Sequence, residues 1–389
     1  MKNVTLLERQ LQNAISAKAH IPVFFPDGKS CIFYGNQQVL TVDTVSELIA
    51  GLFLTVHSNS LLSSIIIAFP NGVFDEKFIY VLLECYLEHI IADHGISVRL
   101  LYNKKETNIF TDGIGQSPLC ALEKSTQSSM DFVRQFRFDV GKNYYRKLFL
   151  ANENSDETLS SAITTLCLFF EGLGITKTRS DLLSEVAVEL VGNALEHSCS
   201  DCFLDIDVTP RDYVRRNNPN GPKYYGVNIC VVNFSPTLLS SQIQSKLCVN
   251  PELRDKSDSA RYWRLRKIYM YHRRFFREDY GDDEFFMLSA FQDRISGRPN
   301  EYLTGGTGLP TLIKWLETQA DSNNCYVLSG RRKMQFLQPL LEYDAEHWIG
   351  MNQEHDFQHC APDKNVFLPF PIYFPGTAYN LNFVMETEE

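Results

Sequence analysis

A glutamate and an asparagine stand four residues apart in VELVGNALEHS, residues 188–198, inside an otherwise oily stretch. Four residues is about one helical turn, so Glu185, Glu189, Asn193 and His197 line one stripe of a helix. Leu182, Val186, Leu190 and Ala194 form a second, apolar stripe beside it. A carboxylate and a carboxamide one turn apart suit a hard cation and a water molecule. The Asn193 oxygen can help hold Mg²⁺, while Glu189 can orient or deprotonate an attacking water. The same spacing is common on solvated helix faces, so the pair gains meaning only from what accompanies it.

Two further stretches accompany it. In YLTGGTGLPTLIKWLE, residues 302–317, Gly305, Gly306, Thr307 and Gly308 run straight into an apolar-periodic helix carrying Leu309, Leu312, Ile313 and Leu316. Glycines let backbone N–H groups approach an anion, and a helix N-terminus adds partial positive charge. Pro310 fits the first turn, where no intrahelical donor is needed. The GxxxxGK[ST] spacing of a P-loop is absent. The third stretch, FPGTAYNLNFV at residues 374–384, reads as a turn followed by an alternating strand containing Thr377.

In this order the three stretches resemble the ATP-binding module of the GHKL superfamily, which unites gyrase B, heat-shock chaperone ATPases, histidine kinases and mismatch-repair ATPases. The resemblance covers residues 160–389. ELVGNALEH is similar to the superfamily's N-box, GGTGL to its glycine-rich lid box and PGTAYNLNF to its final Gly-Thr strand. The N-box looks most like that of anti-sigma-factor kinases. The resemblance implies a two-layer α/β sandwich of the Bergerat type that binds ATP and Mg²⁺. It implies Glu189 as general base, Asn193 as magnesium ligand, Thr377 near adenine, and Gly305, Gly306, Thr307 and Gly308 at the phosphates. One box departs: after YGVNICVV the superfamily has Asp-x-Gly-x-Gly, and this chain has Asn233-Phe-Ser-Pro-Thr237. An asparagine carbonyl can still accept the adenine hydrogen bond, so Asn233 is kept as a cofactor-binding candidate.

The elements that must position these residues belong to a chain of 389 residues, 44% hydrophobic, enough for two or three domains with real cores. Residues 1–150 are expected to form a smaller α/β domain. HIPVFF, VSELIAGLFLTV, SSIIIAF, EKFIYVLLECYLEHIIADH and SVRLLY alternate strand-like and helix-like patterns, and parallel strands need such crossover helices. The strand at 63–69, the turn PNGVFDE, the long helix at 76–93 and the strand at 97–102 resemble STAS-type regulatory domains. No serine stands in that turn, from Pro70 to Glu76, to act as a phospho-acceptor. Residues 104–160 read as a polar connection, and 151–389 as the ATP-binding domain, with a lid at 250–304 and an insertion at 331–372.

The formal charge of −10 argues against a surface that clings throughout to nucleic acid or anionic lipid. No apolar run approaches the length of a membrane span. Ten cysteines without a framework, and no N-terminal secretion signal, point to reduced thiols and a cytoplasmic location. Within the lid, residues 254–277 carry nine Lys or Arg against two Asp, interleaved with Tyr262, Trp263, Tyr269, Tyr271, Phe275 and Phe276. Three readings stand: a nucleic-acid or acidic-partner surface, a source of cations for the nucleotide, or aromatics packed inward with arginines in water. Cys199 and Cys202 form a CxxC, with His355, His359 and Cys360 far downstream, but no second CxxC completes a zinc pattern.

Function is therefore expected to be nucleotide-dependent lid closure that switches a protein interface, with a homodimer as one outcome. A serine/threonine kinase acting on a partner protein and a non-catalytic ATP-binding scaffold are the alternatives. A histidine kinase needs a helix pair bearing a phospho-accepting histidine upstream, and no such pair is legible between 105 and 180.

Overall fold

The computed structural model describes residues 21–387 except 22, 104–110, 112–113, 115–116, 122–128, 153–154, 199, 210–212, 215–219, 250–259, 296–307 and 319–321. The chain is mixed α/β. It divides into two compact units, one holding the residues up to Leu148 together with Phe203–Val232, the other holding Phe149–Cys202 and Asn233–Glu389. Residues 203–232, which the sequence reading had grouped with the ATP-binding part, are thus gathered with the N-terminal unit.

The first unit begins with β1 (Val23–Phe24), β2 (Ser30–Tyr34), β3 (Val39–Leu40), α1 (Val42–Ser58), β4 (Ser64–Phe69), β5 (Val73–Phe74), α2 (Lys77–His94) and β6 (Ser97–Tyr102). Strands β2, β4 and β6 are parallel neighbours, and β1 pairs antiparallel with the outer edge of β2. Each parallel step is bridged by a helix, which is what the alternation of patterns demands. In SIIIAF, Ile65, Ile67 and Phe69 are buried while the residues between them are half-exposed, so a period of two fixes the register. Helix α2 packs on α1, and its residues from Lys77 to Ile91 are buried on every side.

All-round burial of α2 forces its charged residues to find partners inside. Glu88 pairs with Arg137 of the helix Ser129–Arg137, while Lys77 and Glu84 find partners on strands that lie far along the chain. After α3 (Pro118–Ala121), α4 (Ser129–Arg137) and β7 (Phe138–Val140) comes β8 (Tyr144–Phe149), which carries Arg146. Strand β9 (Cys202–Val208) adds Asp205 and Asp207 on one face, and β9 is flanked by β8 on one side and β11 (Lys223–Phe234) on the other, with β10 (Tyr213–Val214) pairing on β11. Lys77 pairs with both Asp205 and Asp207. Arg146 grips Asp205 with Nε at 2.9 Å and Nη2 at 2.5 Å, and donates Nη1 to Glu84 Oε1 at 3.0 Å. Glu84 Oε1 also accepts from the Ser117 hydroxyl and from Leu119 N–H at 3.3 Å. None of these five ionisable side chains is more than 4% exposed. The guanidinium of Arg146 lies over the stacked rings of Phe136 and Phe203. Burial works against the ionised Asp205, but Lys77 and Arg146 outweigh it and hold the carboxyl below its ordinary range. Arg146 is held the more firmly protonated by Glu84 and Asp205, against the cost of burial. The polar connection expected at 104–160 is therefore structured in part: α4, β7 and β8 all lie within it, as does the start of the next helix.

The second unit comprises α5 (Ser155–Gly172), α6 (Lys177–Ser198), α7 (Ser241–Val249), α8 (Ala260–His272), α9 (Asp282–Ser289), α10 (Gly308–Thr318), β12 (Ser322–Asn323), β13 (Tyr326–Gln335) and β14 (Phe367–Glu386). Helices α5 and α6 pack as a hairpin. Gly174 turns the corner at φ +75°, while Gly174 N–H and Ile175 N–H bond back to the end of α5. Strands β12 and β13 both pair antiparallel with β14, whose span begins earlier than the expected 374–384. Among the described residues no helix is long and apolar enough to cross a membrane.

The insertion at 331–372 is a folded element that clasps α8. Trp348 and Phe357 are fully buried, and the Arg261 guanidinium lies over the Trp348 ring at 4.0 Å while donating to the carbonyls of Glu346 (3.0 Å) and His347 (2.6 Å). His272, also fully buried, donates Nε2–H to the Phe357 carbonyl at 2.7 Å and accepts the Tyr280 hydroxyl on Nδ1 at 2.6 Å. Burial drives its pKa down to about 4 and the ring is neutral.

Candidate functional site

Helix α6 positions the glutamate–asparagine pair. Leu183, Val186, Ala187, Leu190 and Val191 bury three of its sides, so the stripe carrying Glu189 and Asn193 is set at the boundary, half-exposed. Asn193 Nδ2 donates to Glu189 Oε1 at 3.3 Å, which locks the amide so that its oxygen faces away from the carboxylate. Glu185 is exposed, and the side chain of His197 lies outside the described residues.

Helix α10 starts at Gly308 and packs against α6. Its Trp315 stands edge-on to Phe383 of β14 with ring centroids 4.3 Å apart, which puts α10 over the odd-numbered face of that strand. Tyr379 belongs to the same face. Its phenol is pushed far up by burial, then by the charges of Cys202 and Glu189. Thr377, two residues earlier, shares this side of the strand and is half-exposed. Glu189 and Asn193 thus stand on a helix that packs against α10, and α10 in turn lies on the face of β14 that carries Thr377. Gly305, Gly306 and Thr307 lie outside the described residues, as do 250–259 and 296–304 of the expected lid.

Asn233 sits at the end of β11 and is 2% exposed. Its Nδ2 donates to the carbonyls of Ser200 (3.3 Å) and Asp201 (3.0 Å), tying the strand end to the loop that follows α6. The donor side of the amide is spent on protein, and only Oδ1 remains to accept from another group. Against the same turn lies Gly376, at φ +104°, where a Cβ would overlap the Asn233 carbonyl oxygen. Ser235 N–H bonds to the Pro375 carbonyl at 3.1 Å, and Ser329 Oγ donates to the Gly376 carbonyl at 2.8 Å. Asn233 and the Gly376–Thr377 step are therefore neighbours. Gly376 is required by close backbone approach, whatever else it does.

Asn193 and Glu189 supply hard oxygens, and Mg²⁺ characteristically takes one or two protein oxygens plus waters and phosphate oxygens, so the donor set fits that ion. The zinc pattern gains nothing: among the described residues no His, Cys, Asp and Glu cluster could hold a metal ion. Cys202 is buried, with its thiol pushed up first by burial and then by Asp201. His359 Nδ1 lies 3.0 Å from Asp356, and His355 Nε2 lies 3.7 Å from Glu342.

The sequence reading missed the Lys77, Glu84, Arg146, Asp205 and Asp207 cluster. Its one visible signal was the pair of aspartates at alternate positions in CFLDIDV, between hydrophobic neighbours. Comparison with known protein families, with characterised proteins and with solved structures finds no match to this chain.

Proposed function

We propose that this chain is a Mg-ATP-binding regulatory protein of the GHKL type, with a Bergerat-like second unit and a STAS-like N-terminal sheet. The observation that supports the reading is that α6 packs against α10 and α10 lies on β14, the three elements that bear the motifs on which the resemblance rests. In this reading Glu189 takes a proton from the attacking water, and the Asn193 oxygen helps hold magnesium beside the phosphates. Gly305, Gly306, Thr307 and Gly308 offer backbone N–H groups to the phosphate oxygens. Asn233 Oδ1 and Thr377 accept and donate at the adenine edge. Magnesium supplies charge neutralisation at the phosphates when bound. The lid closes over the bound nucleotide and switches a protein interface; phosphoryl transfer to a serine or threonine of a partner is the kinase variant of the same chemistry.

A second reading, a non-catalytic ATP-binding scaffold, is favoured by one observation: the residue at the Asp-x-Gly-x-Gly position is an asparagine whose amide is committed to Ser200 and Asp201. Measuring ATP affinity and phosphate release side by side separates the two. Glu189→Ala should abolish release and leave ATP bound. Release that persists unchanged in that variant removes Glu189 from the mechanism, absence of release from the unaltered protein selects the scaffold, and absence of ATP binding ends both readings.

A further inference from the structure

Helix α8 has two unlike sides. Inward, Tyr262, Leu265, Ile268 and His272 are buried, Arg261 is bound to the carbonyls of Glu346 and His347, and Arg264 meets Gln358 Oε1 and Glu346. Outward, Trp263, Met270 and Tyr271 are 43%, 56% and 37% exposed. Lys267 Nζ lies 3.5 Å from the Trp263 ring centroid, and the Arg274 guanidinium lies against Tyr271. Positions 263, 267, 270, 271 and 274 recur at helical spacing, so they form one stripe that continues into the 3-10 turn Arg273–Phe275. Arg266, Lys267, Arg273 and Arg274 pair with no carboxylate among the described residues, in a chain whose acidic groups outnumber its basic ones by ten.

We propose that this outward stripe is a binding surface for single-stranded nucleic acid. Solvated cations alone need no aromatic neighbours. Here two exposed rings, about 12 Å apart along the helix, each stand beside a cation, and a third large apolar side chain lies between them. Flat rings interleaved with cations match a polymer that alternates π-faces with phosphates, and each stacked base contributes about 1–3 kcal/mol. An acidic peptide would satisfy the charges and leave Trp263, Met270 and Tyr271 without a role. The acidic remainder of the chain repels a polyanion and confines it to this stripe. The proposal is independent of ATP binding.

The full-length protein without nucleotide is titrated with a single-stranded oligothymidylate, a duplex of the same length and a poly-glutamate peptide, following tryptophan emission. Trp315 and Trp348 are buried, so quenching by a stacked base reports on Trp263. The oligothymidylate should quench, and its affinity should fall with salt. Trp263→Ala, followed through the anisotropy of a labelled oligothymidylate because the reporter ring is gone, should weaken binding by roughly fivefold or more. The double variant Lys267→Gln, Arg274→Gln should lower the slope of log affinity against log salt by about 1.4, at about 0.7 per phosphate contact. The single strand failing to bind overturns the proposal. So does poly-glutamate or the duplex binding as tightly as the single strand, or Trp263→Ala leaving oligonucleotide affinity unchanged. Because Trp263 is on the surface, loss of binding with an unaltered unfolding midpoint is assigned to the stripe itself.

Discussion

Two groups of polar side chains in this molecule stand in opposite relations to solvent. Lys77, Glu84, Arg146, Asp205 and Asp207 of the first unit are shut away from water and knit together by ion pairs and charge-assisted hydrogen bonds. Glu189 and Asn193 of the second unit sit half-exposed at the edge of a packed helix, joined to each other by one 3.3 Å bond. The lesson concerns solvent. A buried cluster must pair its charges internally and becomes part of the scaffold. A boundary pair keeps contact with water and stays open to a ligand.

The largest effect expected from this contrast is on stability. Asp205→Ala takes from Arg146 its paired bonds to one carboxylate and from Lys77 one of two partners, leaving Glu84 and Asp207, and breaking a buried pair costs about 3–5 kcal/mol. Chemical denaturation should show it as an early loss of the first unit. Replacing the group together, Lys77→Met with Asp205→Val, Asp207→Val, Arg146→Met and Glu84→Leu, should cost far less than the single change, because no charge is left uncompensated. A cost below about 1 kcal/mol for Asp205→Ala would mean that water reaches the cluster.

Acid separates the units next. His272 is neutral in the fold, with a pKa of about 4 against an ordinary 6.5, so the unfolded chain binds the extra proton between those values. Stability contributed by this site is full above pH 6.5 and is lost as pH falls towards 4, by up to about 3 kcal/mol. Asp205 acts lower down: its depressed carboxyl contributes stability above the ordinary pKa of 3.8 and loses it as pH falls through the folded value. Amide exchange should therefore show α8 and the 331–372 element loosening first on acidification, with the α2–β9 contacts persisting to lower pH. Simultaneous loosening would break the comparison. A smaller local effect follows from Gly376→Ala, which places a Cβ against the Asn233 carbonyl at φ +104° and should cost about 1–3 kcal/mol, again by denaturation.

What the sequence displayed, and what it hid, follows the same division. Strands such as SIIIAF and SVRLLY were legible because alternation survives in a half-buried sheet. Helix α5 was hidden: of its described residues only Ala162, Leu166 and Phe170 are deeply buried, a stripe one residue wide inside a polar run. The early part of β14 was masked by Pro369, Pro371 and Pro375, which read as strand breakers. The buried cluster was illegible because its members lie up to 130 residues apart, as Lys77 and Asp207 do, and a lysine in a helix's first turn looks solvated. The Glu189, Asn193 and Thr377 stretches drew notice because their residue types stand at spacings that resemble known motifs. The bonds of Asn233 to Ser200 and Asp201 could not be read from spacing.

The smallest structural effect should accompany the largest functional one. Glu189→Gln keeps the side chain's shape at a half-exposed helix position, so its stability cost should stay within about 0.5 kcal/mol. A glutamine can still hydrogen-bond Asn193, but it cannot take a proton from water. If the boundary pair performs chemistry, phosphate release from ATP falls by two orders of magnitude or more while the unfolding midpoint and ATP affinity stay in place, in line with the loss of a general base. The reverse pattern, a lowered midpoint with unchanged release, would put Glu189 in the same class as Asp205: a carboxylate retained for the fold.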